Sequence, residues 1–189
     1  MKKLLLFVFV AVGIIILCSC NQYKEKPKST ITIYQDYKCP HCKQLEDKII
    51  PKLNQEYVKK DKAKFNFINV AFLGEDSIKG ARAGHAVQNI APDKYLDFQK
   101  LIFSQQANKF TYELIDKQID KLELSDNKKR KIKKDYKTKN SESWKDVKED
   151  QKIAKKNNIK EVPSVYINGK KLKNVHSYSE YDEYIKEQD

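Results

Sequence analysis

The stretch DYKCPHCKQLE, Asp36 to Glu46, places two cysteines around a Pro-His pair and leads straight into an amphipathic pattern. A lone CxxC is compatible with a metal clip, a structural staple or a thiol pair built to react, so its neighbours have to decide. Upstream, ITIY (Ile31 to Tyr34) alternates as a strand, and downstream Leu45, Ile49, Ile50, Leu53, Tyr57 and Val58 recur at helical spacing. The pair therefore sits where a strand ends and a helix begins. That junction puts Cys39 at a helix N-terminus, where unpaired backbone N–H groups and the positive end of the dipole favour an anion. A thiolate is the nucleophile of disulfide exchange, and this position favours it over the thiol. Cys42 falls in the first turn, within reach of Cys39. Pro40 at the first helical position loses nothing, because its missing N–H would have no partner there. His41 adds a donor, and when protonated a charge, beside the sulfur.

The other two readings are weaker on the residues. Cys39, His41 and Cys42 alone do not close a tetrahedral zinc site, and the chain has no second CxxC and no HxxxH. His85 and His176 lie far along the chain and read as a helix-packing residue and a surface-loop residue, so no metal is expected. A staple between cysteines three positions apart restricts almost no chain entropy.

The N-terminus has its own chemistry. Lys2 and Lys3 precede the apolar run LLLFVFVAVGIIIL, residues 4 to 17. At 1.5 Å per helical residue that run falls short of the roughly 30 Å hydrocarbon core of a bilayer. A charged start, a short apolar middle and small residues at its end describe an export signal. Its end, Leu17-Cys18-Ser19-Cys20, resembles the bacterial lipobox, with an apolar residue at −3, a small one at −1 and then the lipid-accepting cysteine. Cys18 fits poorly as acceptor, because Leu17 would occupy the small position. The expectation is a signal peptide over residues 1–19, lipidation at Cys20, and a polar tether to residue 30, NQYKEKPKST, interrupted by Pro27. Of the 4 cysteines, Cys39 and Cys42 then remain as thiols. The formal charge is +12, and without Lys2 and Lys3 the balance is 36 basic against 26 acidic side chains. Nucleic acid is not the expected partner of an exported chain; an anionic membrane surface, or simple solvation of a lysine-rich surface, accounts for the charge.

A length of 189 residues suits one domain with a real core. A second strand reads over KFNFINVAFL (Lys64 to Leu73), dense in aromatic and β-branched residues. Pro51 is expected to kink the helix that precedes it. From Asp76 to Asn158 the pattern is helical, with Pro92 in a first turn and Thr111, Ser125 and Ser141 as N-caps. Strand character returns in PSVYI, then Asn168-Gly169, then KKLKNV, a hairpin signal, and SYSEYDEYIKEQ closes as a helix. The order is strand–helix–strand over 31–75, a helical insertion over 76–158, and strand–strand–helix over 159–189, which is an α/β fold with an all-helical insertion.

With those residues in place, the chain resembles the DsbA family of exported thiol–disulfide oxidoreductases. CPHC after a strand, the helical block and EVPSVYINGK (Glu161 to Lys170) carry the likeness, which spans Ile31 to Ile185. The lysine-rich wording and the lipobox look most like lipoprotein members from staphylococci and related Gram-positive bacteria. The resemblance implies a thioredoxin fold with an all-helical domain inserted between its two halves. It implies that Cys39 attacks and carries the substrate, that Cys42 resolves, and that Pro40 and His41 tune the pair. Pro163 matches the family's cis-proline, with the Val162 backbone open to an extended substrate. An oxidase of this kind needs no cofactor beyond the redox-active Cys39–Cys42 disulfide. Its partners are reduced exported proteins and an external or membrane oxidant, it acts at the outer face of the cytoplasmic membrane, and it is expected to be a monomer. Two positions depart from the family. Ile33 stands where some members carry an acid six residues before the first cysteine, leaving Asp36 as the nearest upstream acid, either capping a turn or assisting Cys42. Lys38 replaces a large apolar residue and is expected to add positive charge near the thiolate. The rival readings are a reductase or isomerase on the same fold, and a non-catalytic lipoprotein that binds a peptide or a metal.

Overall fold

The chain's structure, a computed structural model, describes residue 27 and residues 29–187. The expected signal peptide, Cys20 and most of the tether lie outside those residues. Strand β1 (Ser29–Gln35) pairs in parallel with β2 (Ala63–Asn69) and antiparallel with β3 (Ser164–Ile167), which pairs with β4 (Lys170–Lys171), giving the order β2-β1-β3-β4. A parallel pair needs a crossover. Here it is α1 (Pro40–Lys48), α2 (Ile50–Leu53) and one wide turn over Asn54–Val58. The break between α1 and α2 falls at Ile49, just ahead of Pro51, where the missing proline N–H interrupts the helical ladder. Being flanked on both edges, β1 buries Ile31 and Ile33 completely.

β2 stops at Asn69, earlier than its apolar run suggests. Ala71 takes a positive φ of 48° and Gly74 one of 121°, and the Asp36 carboxylate accepts the N–H groups of Phe72 (3.1 Å) and Leu73 (3.2 Å). Those bonds turn the chain out of the sheet and leave Phe72 and Leu73 exposed.

The helical block follows: α3 (Glu75–Ile90), a short 3-10 turn over Pro92–Lys94, α4 (Tyr95–Phe103), α5 (Tyr112–Asp120), α6 (Asp126–Lys137) and α7 (Glu142–Lys156). Thr111, Ser125 and Ser141 each cap a helix by accepting the N–H three residues on, from Leu114, Lys128 and Trp144. The Asn168-Gly169 turn has φ of 50° and 85°, the positive pair a two-residue hairpin needs. β4 is only two residues long, and α8 (Tyr178–Lys186) covers the sheet.

The described residues form four apolar clusters, two of them large. One lies between sheet and helices and includes Ile31, Leu53, Phe67, Val165 and Tyr181. The other fills the helical block with Phe98, Phe103, Phe110, Ile119 and Tyr136, and it also takes in Tyr37, Cys39 and Cys42. The cysteine pair therefore packs on the inserted block, not on the core of its own sheet. Glycines permit this approach: a Cβ at Gly84 would lie 2.6 Å from the Tyr37 hydroxyl, and one at Gly80 3.1 Å from the Tyr37 ring. Gly84→Ala should therefore destabilise the protein by about 1–3 kcal/mol, outweighing alanine's helix advantage of about 1 kcal/mol. Urea denaturation checks this, and a variant as stable as wild type would show that Tyr37 moves aside without cost.

Candidate active site

β1 delivers the chain to a turn that Asp36 fastens. Its carbonyl accepts the Cys39 N–H (3.0 Å), and its carboxylate accepts the N–H of Lys38 (2.8 Å) besides those of Phe72 and Leu73. Asp36 is thus the turn-capping residue, with both carboxylate oxygens engaged by backbone. Cys39 is the N-cap of α1 in an extended conformation (φ −82°, ψ 118°), Pro40 starts the helix, and the Cys39 carbonyl accepts the N–H of Lys43 (3.1 Å).

Cys39 is 5 % exposed and Cys42 2 %. The Cys39 thiol is lowered from its ordinary range to about 6. A hydrogen bond from the Cys42 side chain is the largest cause; burial opposes it, and the N–H groups of Cys42 and His41 and the His41 charge add to it. Burial drives the Cys42 thiol the other way, far above the ordinary range, reinforced by its bond to Cys39. The two sulfurs are chemically unequal: one is disposed to be an anion, the other to stay protonated.

The Val162–Pro163 peptide bond is cis, and the Cys39 Sγ lies 3.3 Å from the Val162 carbonyl oxygen, to which a protonated sulfur donates. Pro163 edges an open groove of about 430 Å³ together with Glu161, Lys171, Leu172, Lys173 and Val175. His41 is exposed, and its ring centroid lies 6.2 Å from that of His176, whose pKa is lowered by partial burial, then by His41 and Lys48. Residues from positions 39–42 and 162–163 thus converge, with His176 beside them. His85 is elsewhere, buried and bonded to Asp150 (Nε2 to Oδ2, 2.8 Å). Among the described residues no group of three or more His, Cys, Asp or Glu side chains is placed to hold a metal ion.

Lys38 refines an expectation. Its ammonium is not among the named influences on the Cys39 thiol: it donates to the carbonyls of Gln106 (2.5 Å) and Asn108 (2.8 Å) and stands 4.6 Å from the centre of the Phe110 ring. Two further residues carry parts of the site that sequence reasoning missed. Gln106, in the loop between α4 and α5, donates its Nε2 to the carbonyls of Cys39 (2.6 Å) and Tyr37 (3.2 Å). Glu46 is buried one helical turn after Cys42, its carboxyl pushed up to about 7 by burial. Gln99 donates to Glu46 (2.7 Å), and Gln35 donates to both Gln99 (2.6 Å) and Asn69 (3.0 Å). Asn69 then bonds Tyr95 (3.3 Å), whose hydroxyl meets that of Tyr37 (3.3 Å). The signal for Glu46 was present: positions 42, 46, 49 and 53 share one helix face. Gln106 had none, because its partners lie some seventy positions away on another element.

A family model described as thioredoxin matches residues 24–187. The chain is 31 % identical over 168 residues to disulfide bond formation protein D of Bacillus subtilis, a match covering 87 % of this chain and 74 % of that protein. Among solved structures, oxidised BdbD of Bacillus subtilis superposes with a TM-score of 0.76 at 28 % identity, over 87 % of this chain and 89 % of that one. MdbA of Actinomyces oris, a thiol–disulfide oxidoreductase, shares the fold with a TM-score of 0.71 at 23 % identity, over 86 % and 82 % of the two chains.

The buried carboxyl makes a prediction of definite sign. Folded, Glu46 keeps its proton to about pH 7, whereas the unfolded chain releases it near 4.5. The unfolded state therefore binds fewer protons between those values, and stability falls as pH rises through that window, by about 3 kcal/mol in all. Glu46→Gln does not titrate, so its stability relative to wild type should rise by about that amount between pH 4.5 and pH 8. Urea denaturation at the two pH values reads it; an unchanged difference means an ordinary Glu46.

Proposed function

The chain belongs to the thioredoxin family, among the DsbA-like thiol–disulfide oxidoreductases, and on that footing we propose that it is an oxidase, passing a Cys39–Cys42 disulfide to reduced exported proteins. The observation that carries the direction is the inequality of the two sulfurs, with Cys39 lowered to about 6 and Cys42 driven up. Stabilising the thiolate of the reduced form makes the disulfide easier to reduce, and so a stronger oxidant.

The reaction begins when a substrate thiolate attacks Cys39 Sγ. The Cys39–Cys42 bond breaks, a mixed disulfide forms at Cys39, and Cys42 leaves with the electron pair and takes up a proton, as its burial demands. A second substrate thiolate attacks the substrate sulfur of the mixed disulfide and displaces Cys39, whose low pKa makes it the better leaving group. The substrate ends as a disulfide and the protein as a dithiol. An oxidant at the membrane or outside it then removes two electrons and two protons to restore the pair. The exchange needs no other cofactor. An extended substrate segment would lie along the Val162 backbone beside Pro163, while Pro40 opens the helix and His41 offers its backbone N–H to the sulfur.

We place this activity on the outer face of the cytoplasmic membrane, held by lipid at Cys20, and assign it to the monomer. The lipobox-like LCSC and the polar tether support the anchor. No helix of the described residues is long and apolar enough to cross a membrane.

Equilibration of the purified protein with glutathione should give a potential well above thioredoxin's, about −270 mV. The reduced form should also resist urea better than the oxidised one. The sign follows from Cys39: its pKa is depressed on folding, so its contribution is full above the ordinary value of 9.0 and disappears as pH falls through about 6. It amounts to about 1 kcal/mol at pH 7. In Cys42→Ser, attack of the Cys39 thiolate on a peptide disulfide should displace one peptide thiol and leave a mixed disulfide at Cys39 that accumulates, because no second sulfur is present to resolve it. A potential at or below thioredoxin's would make the protein a reductase instead.

A further inference from the structure

The Cys39–Pro40 peptide unit has an unusual weakness. Because its nitrogen belongs to a proline, it has no N–H, and its carbonyl oxygen is the one hydrogen-bonding handle by which the protein can hold it. That carbonyl has two lone pairs. One takes the N–H of Lys43, the first bond of α1 (3.1 Å). The other takes Nε2 of Gln106, at 2.6 Å, from the loop of the inserted helical block.

The orientation of this unit matters because it is the ψ angle of Cys39 that sets the sulfur against the first turn. The N–H groups of His41 and Cys42, which favour the sulfur's charged form, follow this peptide unit in the chain. The Gln106 amide uses both its hydrogens here, since it also donates to the Tyr37 carbonyl (3.2 Å), so it straddles Lys38. Lys38 answers in kind: its ammonium bonds the Gln106 carbonyl (2.5 Å) and the Asn108 carbonyl (2.8 Å) and lies over Phe110. Each residue's side chain thus holds the other's backbone segment.

We propose that Gln106 is a positioning residue for Cys39, and that through it the inserted block sets the reactivity of the Cys39 sulfur. The proposal rests on Cys39 being the reactive cysteine. Gln106 does not touch substrate or sulfur; it acts by pinning the Cys39 peptide and by directing the positive end of an amide dipole at its oxygen. The block is then part of the redox machinery and not only a cover over it. This explains why a largely exposed loop places one glutamine side chain inward at this point.

The test is the pH dependence of Cys39 alkylation by iodoacetamide in the reduced protein, together with the equilibrium constant against glutathione. In Gln106→Leu the donor is lost at nearly equal size. The alkylation midpoint should move up, and the equilibrium constant should fall by up to about tenfold toward a weaker oxidant, the scale of one net hydrogen bond. Gln106→Glu keeps the shape but sets a carboxylate against two carbonyls, so it should shift the midpoint further in the same direction. Lys38→Met, which loosens the loop while leaving Gln106 intact, should shift it the same way by less. Urea denaturation of each variant separates loss of stability from change of reactivity. Variants that lose stability but keep the wild-type midpoint and equilibrium constant would overturn the proposal, leaving the clasp a structural tie. Failure of the underlying reading looks different: wild-type Cys39 would itself titrate as an ordinary thiol.

Discussion

A sulfur that is almost closed to water and yet favours its charged form must draw its solvation from the protein. Burial alone raises a thiol's pKa, and here burial is the second largest influence on Cys39, acting against the trend. What wins is a set of short-range donors: the Cys42 side chain and the N–H groups of the first turn of α1. Such donors are available only at a helix start, where the N–H groups have no partner within the helix. The rest of the fold serves to keep that start in place. β1, paired on both edges, carries the chain to it, and Asp36 locks the turn by binding three backbone N–H groups on two segments. A looser turn would let water or an alternative rotamer compete for the sulfur.

The second sulfur depends on the inserted block. Cys42 belongs to the same apolar cluster as Phe98, Phe103 and Phe110, and it is this desolvation that keeps it protonated. The approach is close because α3 presents Gly80 and Gly84 to Tyr37. Where the block meets the sheet, polar side chains run in a continuous chain from Glu46 through Gln99, Gln35 and Asn69 to Tyr95 and Tyr37. Asp150 joins it by accepting the Asn69 N–H (2.7 Å) while holding His85. Satisfied networks of this kind favour one docking of two layers over its alternatives, because any shift strands a buried donor. Glu46 is the exception within it, a carboxyl whose ionisation works against the fold at neutral pH.

Local chemistry is what the sequence made legible. Ser and Thr caps, the Asn-Gly hairpin and the strand–helix junction at Cys39 each depend on a few adjacent residues, and each appears in the structure where the residues put it. Boundaries that depend on tertiary bonds were not legible. β2 ends early because a carboxylate from the turn after β1 captures Phe72 and Leu73, and no periodicity in the run itself records that. Pro163 became interpretable only through resemblance to a family, since a single proline does not announce its isomer. Lys38 shows the same limit from the other side: its neighbours in sequence suggest a charge beside the sulfur, whereas its neighbours in space are two carbonyls and a ring.

The fate of Lys38 bears on how the site is tuned. With that ammonium engaged elsewhere, the influences on Cys39 are mostly dipoles at hydrogen-bond distance, and the coulombic effect of His41 is the smallest of the named causes. Dipoles that act across a dry contact are insensitive to salt, whereas exposed charges are screened within about 10 Å at ordinary ionic strength. A protein as lysine-rich as this one carries a large and variable surface potential. Building the sulfur's stabilisation from backbone and amide donors separates its reactivity from that potential. The surface is then free to vary in charge, whether it meets membrane, substrate or solvent, without retuning Cys39.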